Sequence, residues 1–224
     1  MRTAALAVVL AALLSSAEST APGGRAAAAQ TADGIASAGD TRKRGEMAAL
    51  RARIRDDAGV PSVAPAGYDV TIVFFSDYQC PYCRKFHPTL QALLREDRGV
   101  RVVYRDWPIF GDVSTQAARA AMAARYQGRH AQMHDALMAT KGRLTVAGIR
   151  AAADRAGVNW ARLQADLQRH GRAIDAALAR TDDYAKRLGL RGTPGMMIGR
   201  YLLPGAVDLG DLRRAVALAR KHPE

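Results

Sequence analysis

Val70-Thr71-Ile72-Val73-Phe74-Phe75 leads through Ser76-Asp77-Tyr78-Gln79 into Cys80-Pro81-Tyr82-Cys83, the only two cysteines among 224 residues. β-Branched and aromatic residues without a charge predict a strand over 70–75, and the spacing of apolar residues after Cys80 predicts a helix. A strand that delivers Cys-x-x-Cys to the first turn of a helix is a redox arrangement. The unpaired N–H groups and the positive end of the helix dipole both favour a thiolate there. On this reading Cys80 is the exposed attacking sulfur. Cys83, one turn further in, is the buried partner that closes the disulfide.

Other uses of the pair fit less well. A disulfide closing a four-residue loop removes little unfolded-state entropy, roughly 2 kcal/mol on the loop model. Half a zinc site needs two more ligands, and there is no second Cys-x-x-Cys. His87, four residues past Cys83, is a third donor without a fourth in the neighbouring sequence. His130 and His134, four apart on one helical face, have metal-binding spacing but no nearby third ligand, so two solvated histidines are expected. Neither a metal nor a cofactor is expected beyond the redox-active Cys80–Cys83 disulfide. Met196 and Met197 alternate on a strand and are expected to line the core and a substrate groove.

The N-terminus reads as a secretory signal. Arg2 is followed by an apolar stretch from Ala4 to Leu14, and Ser15-Ser16-Ala17 and Ser19-Thr20-Ala21 offer small residues for cleavage. A signal peptide over 1–17 (or 1–21) is expected, and with it an exported, periplasmic protein. In that oxidising compartment disulfides persist. With both cysteines in one motif, the chain handles disulfides rather than depending on them. The formal net charge of +12 is spread over separate segments. With few aromatic residues to stack on bases, nucleic-acid binding is not expected.

Residues 22–66 read as a disordered Ala/Gly/Ser linker with one short helix at about 42–57, where Met47, Leu50 and Ile54 share a face. That stripe serves either packing on the domain or joining of protomers, with packing favoured. Strand, helix and strand over Val70–Phe75, Cys80–Arg95 and Val100–Asp106 form a right-handed βαβ unit, with Pro88 expected to kink the helix. Ala-rich helices then recur over 114–188, separated by Gly128, Gly142, Gly157 and Gly171, with Thr145 and Asn159 as N-caps. Strands at Met196–Ile198 and Tyr201–Leu203 flank a Gly199-Arg200 turn. A last helix, about Leu209 to Arg220, is capped by Asp208 and has Leu212, Val216 and Leu218 as its apolar face. The fold class is α/β: a thioredoxin fold (67–113 and 189–224) with an inserted all-helical domain (114–188).

Gly192-Thr193-Pro194 directly precedes the third strand. In a thioredoxin fold this proline is expected to be cis and to lie against the Cys-x-x-Cys, with the Thr193 backbone open to an extended substrate.

Phe74-Phe75-Ser76-Asp77-Tyr78-Gln79-Cys80-Pro81-Tyr82-Cys83, Thr193-Pro194 and Leu203-Pro204-Gly205-Ala206 together resemble the DsbA family of thiol-disulfide oxidoreductases. The similarity is closest to its copper-sensitivity suppressor (ScsC-like) and Com1-like branch, and it covers about residues 68–220. The resemblance implies Cys80 as nucleophile, Cys83 as resolving cysteine, Pro81 and Tyr82 as redox-tuning residues, and Thr193 and Pro194 as substrate-binding residues. It also implies exported protein substrates and a DsbB-like or DsbD/ScsB-like membrane redox partner, with a homo-oligomer through 42–57 as an option. Two departures bear on subtype. Val73 stands where the family usually has a glutamate, and Asp77, though near in sequence, should point elsewhere. Tyr82 stands where the strongest oxidants have histidine, and Arg84 and Lys85 are the nearby cations that would compensate. Oxidase and isomerase stay open, and the alternative is a chaperone-like or copper-handling protein that keeps the fold for binding.

Overall fold

The computed structural model describes residues 26–223, with side chains from Asp40 onward. The expected signal peptide lies outside the described residues. The chain divides into two units, 1–44 and 45–224. The boundary falls inside the first helix, α1 (Ala26–Arg55). This helix begins where the sequence reading placed a linker, because Ala26-Ala27-Ala28-Ala29 has the highest intrinsic helix propensity. Within the second unit, Leu50 and Ile54 are buried in the core and Met47 packs against it. The stripe that was a candidate for joining protomers is therefore occupied by the chain's own core.

Among the described residues five strands form one sheet in the order β1-β3-β2-β4-β5. β2 (Val70–Ser76) and β3 (Val100–Asp106) are parallel, in register from Val70↔Val100 to Ser76↔Asp106. Every β2 residue is buried. That is why its sequence shows no alternation: a strand covered on both faces reads as a continuous apolar run. β4 (Gly195–Ile198) runs antiparallel on the other side of β2, and β5 (Tyr201–Leu203) follows through a tight turn with Gly199 at φ 52°. β1 (Ser62–Val63), too short to leave a periodic signal, adds an antiparallel edge to β3.

α2 (Pro81–Glu96) connects β2 to β3 and continues without interruption through Pro88. Cys83, Phe86, Leu90 and Leu93 lie on its buried face. The helical insert comprises α3 (Asp112–Ala124), a single 3-10 turn (Arg125–Gln127), α4 (His130–Met138), α5 (Val146–Arg155) and α6 (Trp160–Arg187). Gly128 and Gly157 end elements and Gly142 lies in the loop between α4 and α5, all with φ between 67° and 70°, a region only glycine enters freely. Gly171 does not end one. It is buried inside the continuous α6, where an added Cβ would come within 3.2 Å of the Arg119 guanidinium on α3. The caps Thr145 and Asn159 accept hydrogen bonds from the N–H groups of Gly148 and Arg162.

α7 (Leu209–Lys221) is capped by Asp208 and buries Leu212, Val216 and Ala219, whereas Leu218 is exposed. Helical spacing from Leu212 and Val216 reaches Ala219, not 218. Polar groups at and just after β3 also hold the end of α1 and the insert. Arg105 on β3, fully buried, donates to Asp57 at 3.0 Å and to the Ile54 carbonyl at 2.7 Å. Trp107 Nε1 donates to Asp182 on α6 at 3.0 Å.

Candidate active site

Ser76 ends β2, and the turn Asp77–Gln79 brings Cys80 to the N-cap of α2, with Pro81 in the first turn. Proline suits that turn because the missing N–H would have had no helical partner there. The turn is fixed by the Asp77 carboxylate. Its Oδ1 accepts from Gln79 N and Ser114 Oγ, each at 2.7 Å, and its Oδ2 accepts from Ile109 N at 2.7 Å and Phe110 N at 3.1 Å. With four donors on it, Asp77 anchors the loop after β3 beside the cysteines.

Cys80 sits deeper than a fully exposed sulfur: the residue is 1% exposed, while Tyr82 next to it is 65% exposed. The Thr193–Pro194 segment covers it. The Cys80 thiol donates to the Thr193 carbonyl at 3.1 Å, and the Thr193–Pro194 peptide bond is cis. Cys83 is completely buried, and both cysteines are free thiols.

The two sulfurs are electrostatically unequal. The Cys83 thiol, hydrogen-bonded to Cys80, is the largest cause that lowers the Cys80 pKa from 9.0 to about 6. Burial opposes it, while the Thr193 side chain and the N–H groups of Cys83 and Tyr82 assist. Burial, followed by the hydrogen bond to Cys80, pushes the Cys83 thiol far above its ordinary value. A thiolate at Cys80 beside a neutral thiol at Cys83 is the inequality that an attacking and a resolving sulfur require. The Thr193 hydroxyl is buried without a hydrogen-bond partner, so its influence on the sulfurs comes from proximity rather than from a formed bond.

Arg84 is the cation near the sulfurs. Its Nε donates to the Tyr78 carbonyl at 2.7 Å and a terminal nitrogen donates to the Gly142 carbonyl. Burial lowers its pKa, and Asp77 and both sulfurs counter that effect. Lys85 points to solvent. Beside the motif lies a groove of about 700 Å³ lined by Tyr82, Arg191, Thr193, Pro194, Pro204 and Ala206, among others. Met196 and Met197 do not line it. Both are buried within β4, because the groove is formed by the segment before that strand and the one after β5.

The histidines expected in solvent are in the interior: His134 is fully buried and His130 is 6% exposed. The spacing that put them on one face was right, but that face packs on the ring of Tyr104, with centroids 4.5 Å and 5.0 Å away. Sequence reasoning also missed Asp106, fully buried at the end of β3. Burial raises its pKa to about 7, the nearby Tyr78 hydroxyl holds part of the rise back, and Asp77 adds to it. Neither Asp106 oxygen has a hydrogen bond of ordinary geometry.

Three kinds of relative share this architecture. A thioredoxin-like oxidoreductase from Silicibacter pomeroyi DSS-3 is 39% identical over 76% of this chain and 98% of its own, with a TM-score of 0.72. The catalytic domain of Proteus mirabilis ScsC is 27% identical over 80% and 98%, with a TM-score of 0.71. A periplasmic thioredoxin-like protein from Salmonella enterica serovar Typhimurium is 25% identical over 77% and 96%, with a TM-score of 0.66. Among curated proteins, the Na(+)/H(+) antiporter NhaA 1 of Salinispora arenicola is 32% identical over 168 residues, which are 74% of this chain and 25% of the antiporter. The chain thus spans about a quarter of the curated relatives it matches, and among the described residues no helix is long and apolar enough to cross a membrane. The DSBA-like thioredoxin domain matches residues 71–217, which contain both cysteines, the whole helical insert and Pro194, and the chain belongs to that family.

Proposed function

We propose that this chain is a periplasmic thiol-disulfide oxidoreductase that exchanges disulfides with exported proteins through Cys80 and Cys83. The observation that carries this reading is the inequality of the two sulfurs, a lowered Cys80 beside a raised, buried Cys83. In the oxidising direction, a substrate thiolate attacks the Cys80 sulfur of the enzyme disulfide and Cys83 leaves as a thiolate, which takes up a proton. A second substrate thiolate then attacks the substrate sulfur of the mixed disulfide. This releases the substrate disulfide and the Cys80 thiolate. The enzyme, now two electrons reduced, passes them to a membrane redox partner. In the isomerising direction, the Cys80 thiolate attacks a substrate disulfide, and Cys83 resolves the mixed disulfide if rearrangement stalls. The groove along Thr193, Pro194 and Tyr82 accommodates the extended substrate segment.

A Cys80 pKa of about 6 falls between those of thioredoxin, about 7, and DsbA, about 3.5. The expected reduction potential therefore lies between about −270 and −120 mV. Equilibration of the full chain against glutathione buffers, read by the fraction of free thiol, tests this. Without a reversible two-electron transition the enzymatic reading fails, and a potential outside those bounds refutes the intermediate poise.

A further inference from the structure

Where α2 meets α4, His87 of α2 approaches His134 and Asp135 of α4. One ligand atom from each lies within 4.8 Å of the others. We propose that His87, His134 and Asp135 form a binding site for one divalent transition-metal ion, with zinc as the reference ion.

Two imidazole nitrogens and one carboxylate oxygen are a donor set that zinc accepts, with a fourth position left for water. Tetrahedral zinc places its donor atoms about 3.4 Å apart, so closing the site needs side-chain adjustments of about 1 Å. His87 Nε2 is already 3.3 Å from Asp135 Oδ1. The Asp135 side chain is 49% exposed, which gives an ion a route in from solvent.

The second observation is independent of this grouping. His134 is fully buried, and its Nε2 has no hydrogen-bond partner. Buried polar atoms are almost always partnered, so an unpartnered nitrogen on one of the three grouped residues calls for a ligand. The other ring nitrogen is held as a metal-bound histidine requires. His134 Nδ1 is 3.1 Å from the Tyr78 hydroxyl, and an Nδ1–H donated to that oxygen leaves Nε2 unprotonated for the ion. Gln91 Nε2 donates to Asp135 Oδ1 at 3.0 Å and orients the carboxylate.

Because His87 lies one helical turn past Cys83, the ion would tie the helix bearing the reactive pair to α4. The test uses the oxidised full chain, in which both cysteines are in the disulfide and unavailable as ligands. After chelator dialysis it is titrated with zinc sulfate by calorimetry, and with cobalt(II) for its ligand-field spectrum. One equivalent of each should bind. His87→Gln and Asp135→Asn should each weaken zinc at least tenfold, with circular dichroism unchanged. A His170→Gln/His222→Gln variant, which removes two of the three histidines outside the cluster and leaves the buried His130 in place, should bind as the unmodified chain does. Absence of a stoichiometric site in the oxidised chain overturns the proposal, and so does binding that survives both His87→Gln and Asp135→Asn.

Discussion

Replacing Cys83 by alanine tests what lowers the Cys80 pKa. The leading cause is the hydrogen bond from the Cys83 thiol. Hydrogen bonds to charged groups contribute about 1.5–3 kcal/mol, and one pKa unit is about 1.36 kcal/mol. Cys83→Ala should therefore raise the Cys80 midpoint from about 6 by about 1–2 units. Cys83→Ser keeps an O–H donor and should raise it by less than half as much. In either variant Cys80 is the only thiol, so its ultraviolet thiolate absorbance against pH gives a single curve, and the pH dependence of alkylation gives a second measure of the same group. A Cys83→Ala midpoint still near 6 would refute the assignment and give the effect to the N–H groups of Tyr82 and Cys83. An equal rise in the serine and alanine variants would refute it as well.

The same lowering bears on redox poise. A thiolate at Cys80 stabilises the reduced fold, fully above the unfolded pKa of 9.0 and not at all once pH falls through about 6. At pH 7 the factor is at most about 11, equivalent to about 1.4 kcal/mol or about 30 mV for two electrons. Solvent around the exposed Tyr82 reduces it by screening.

Thr193→Val removes a buried, unpartnered hydroxyl that lowers both sulfurs. It should raise the Cys80 midpoint by under about 1 unit while costing no more than about 1 kcal/mol of stability. A thiol titration with a urea melt checks both, and an unmoved midpoint would remove Thr193 from the tuning of the pair. Asp106, with its pKa raised to about 7, binds a proton more tightly in the fold than in the unfolded chain. Its contribution is therefore complete below the unfolded value of 3.8 and is lost as pH rises through about 7, by up to roughly 4 kcal/mol. Asp106→Asn should flatten that fall. Denaturant midpoints of both proteins at pH 5 and 8 report it, and parallel pH dependences would show that Asp106 is not the group responsible.

What could be read in the sequence was what local chemistry dictates. The charge-free run 70–75 is a strand buried on both faces, and the Cys-x-x-Cys falls at the helix start because Pro81 and the N-terminal N–H groups suit it. Thr145, Asn159 and Asp208 cap helices because their side chains bond backbone N–H groups within three residues. What could not be read depends on contacts across long stretches of chain. Gly171 looks like a helix stop until α3 is packed against it. His130 and His134 look solvated until the Tyr104 ring covers them, and Cys80 looks exposed until Thr193, 113 residues away, lies over it. The edge strand Ser62–Val63 has two residues, too few for any period to show.

The carboxylates around the motif suggest how the pair is tuned. Val73, at the position where a glutamate would sit, is fully buried on β2 between Val103 and Met197. Cys83 is raised chiefly by burial, and Val73 supplies no acid to receive its proton. Asp77 is saturated by four donors and serves the 109–114 loop. Asp106 is governed by burial, Tyr78 and Asp77, with neither sulfur among the causes of its shift. Asp77 is thus engaged by the loop and Asp106 is uncoupled from the sulfurs, and the inequality of the two sulfurs arises from burial, backbone N–H groups and the mutual hydrogen bond. These follow from the strand–turn–helix itself. Adjustment beyond them falls to Thr193, whose carbonyl accepts from the Cys80 thiol, and to the cation Arg84, and their placement depends on the turn before β4 and on the Gly142 carbonyl of the insert.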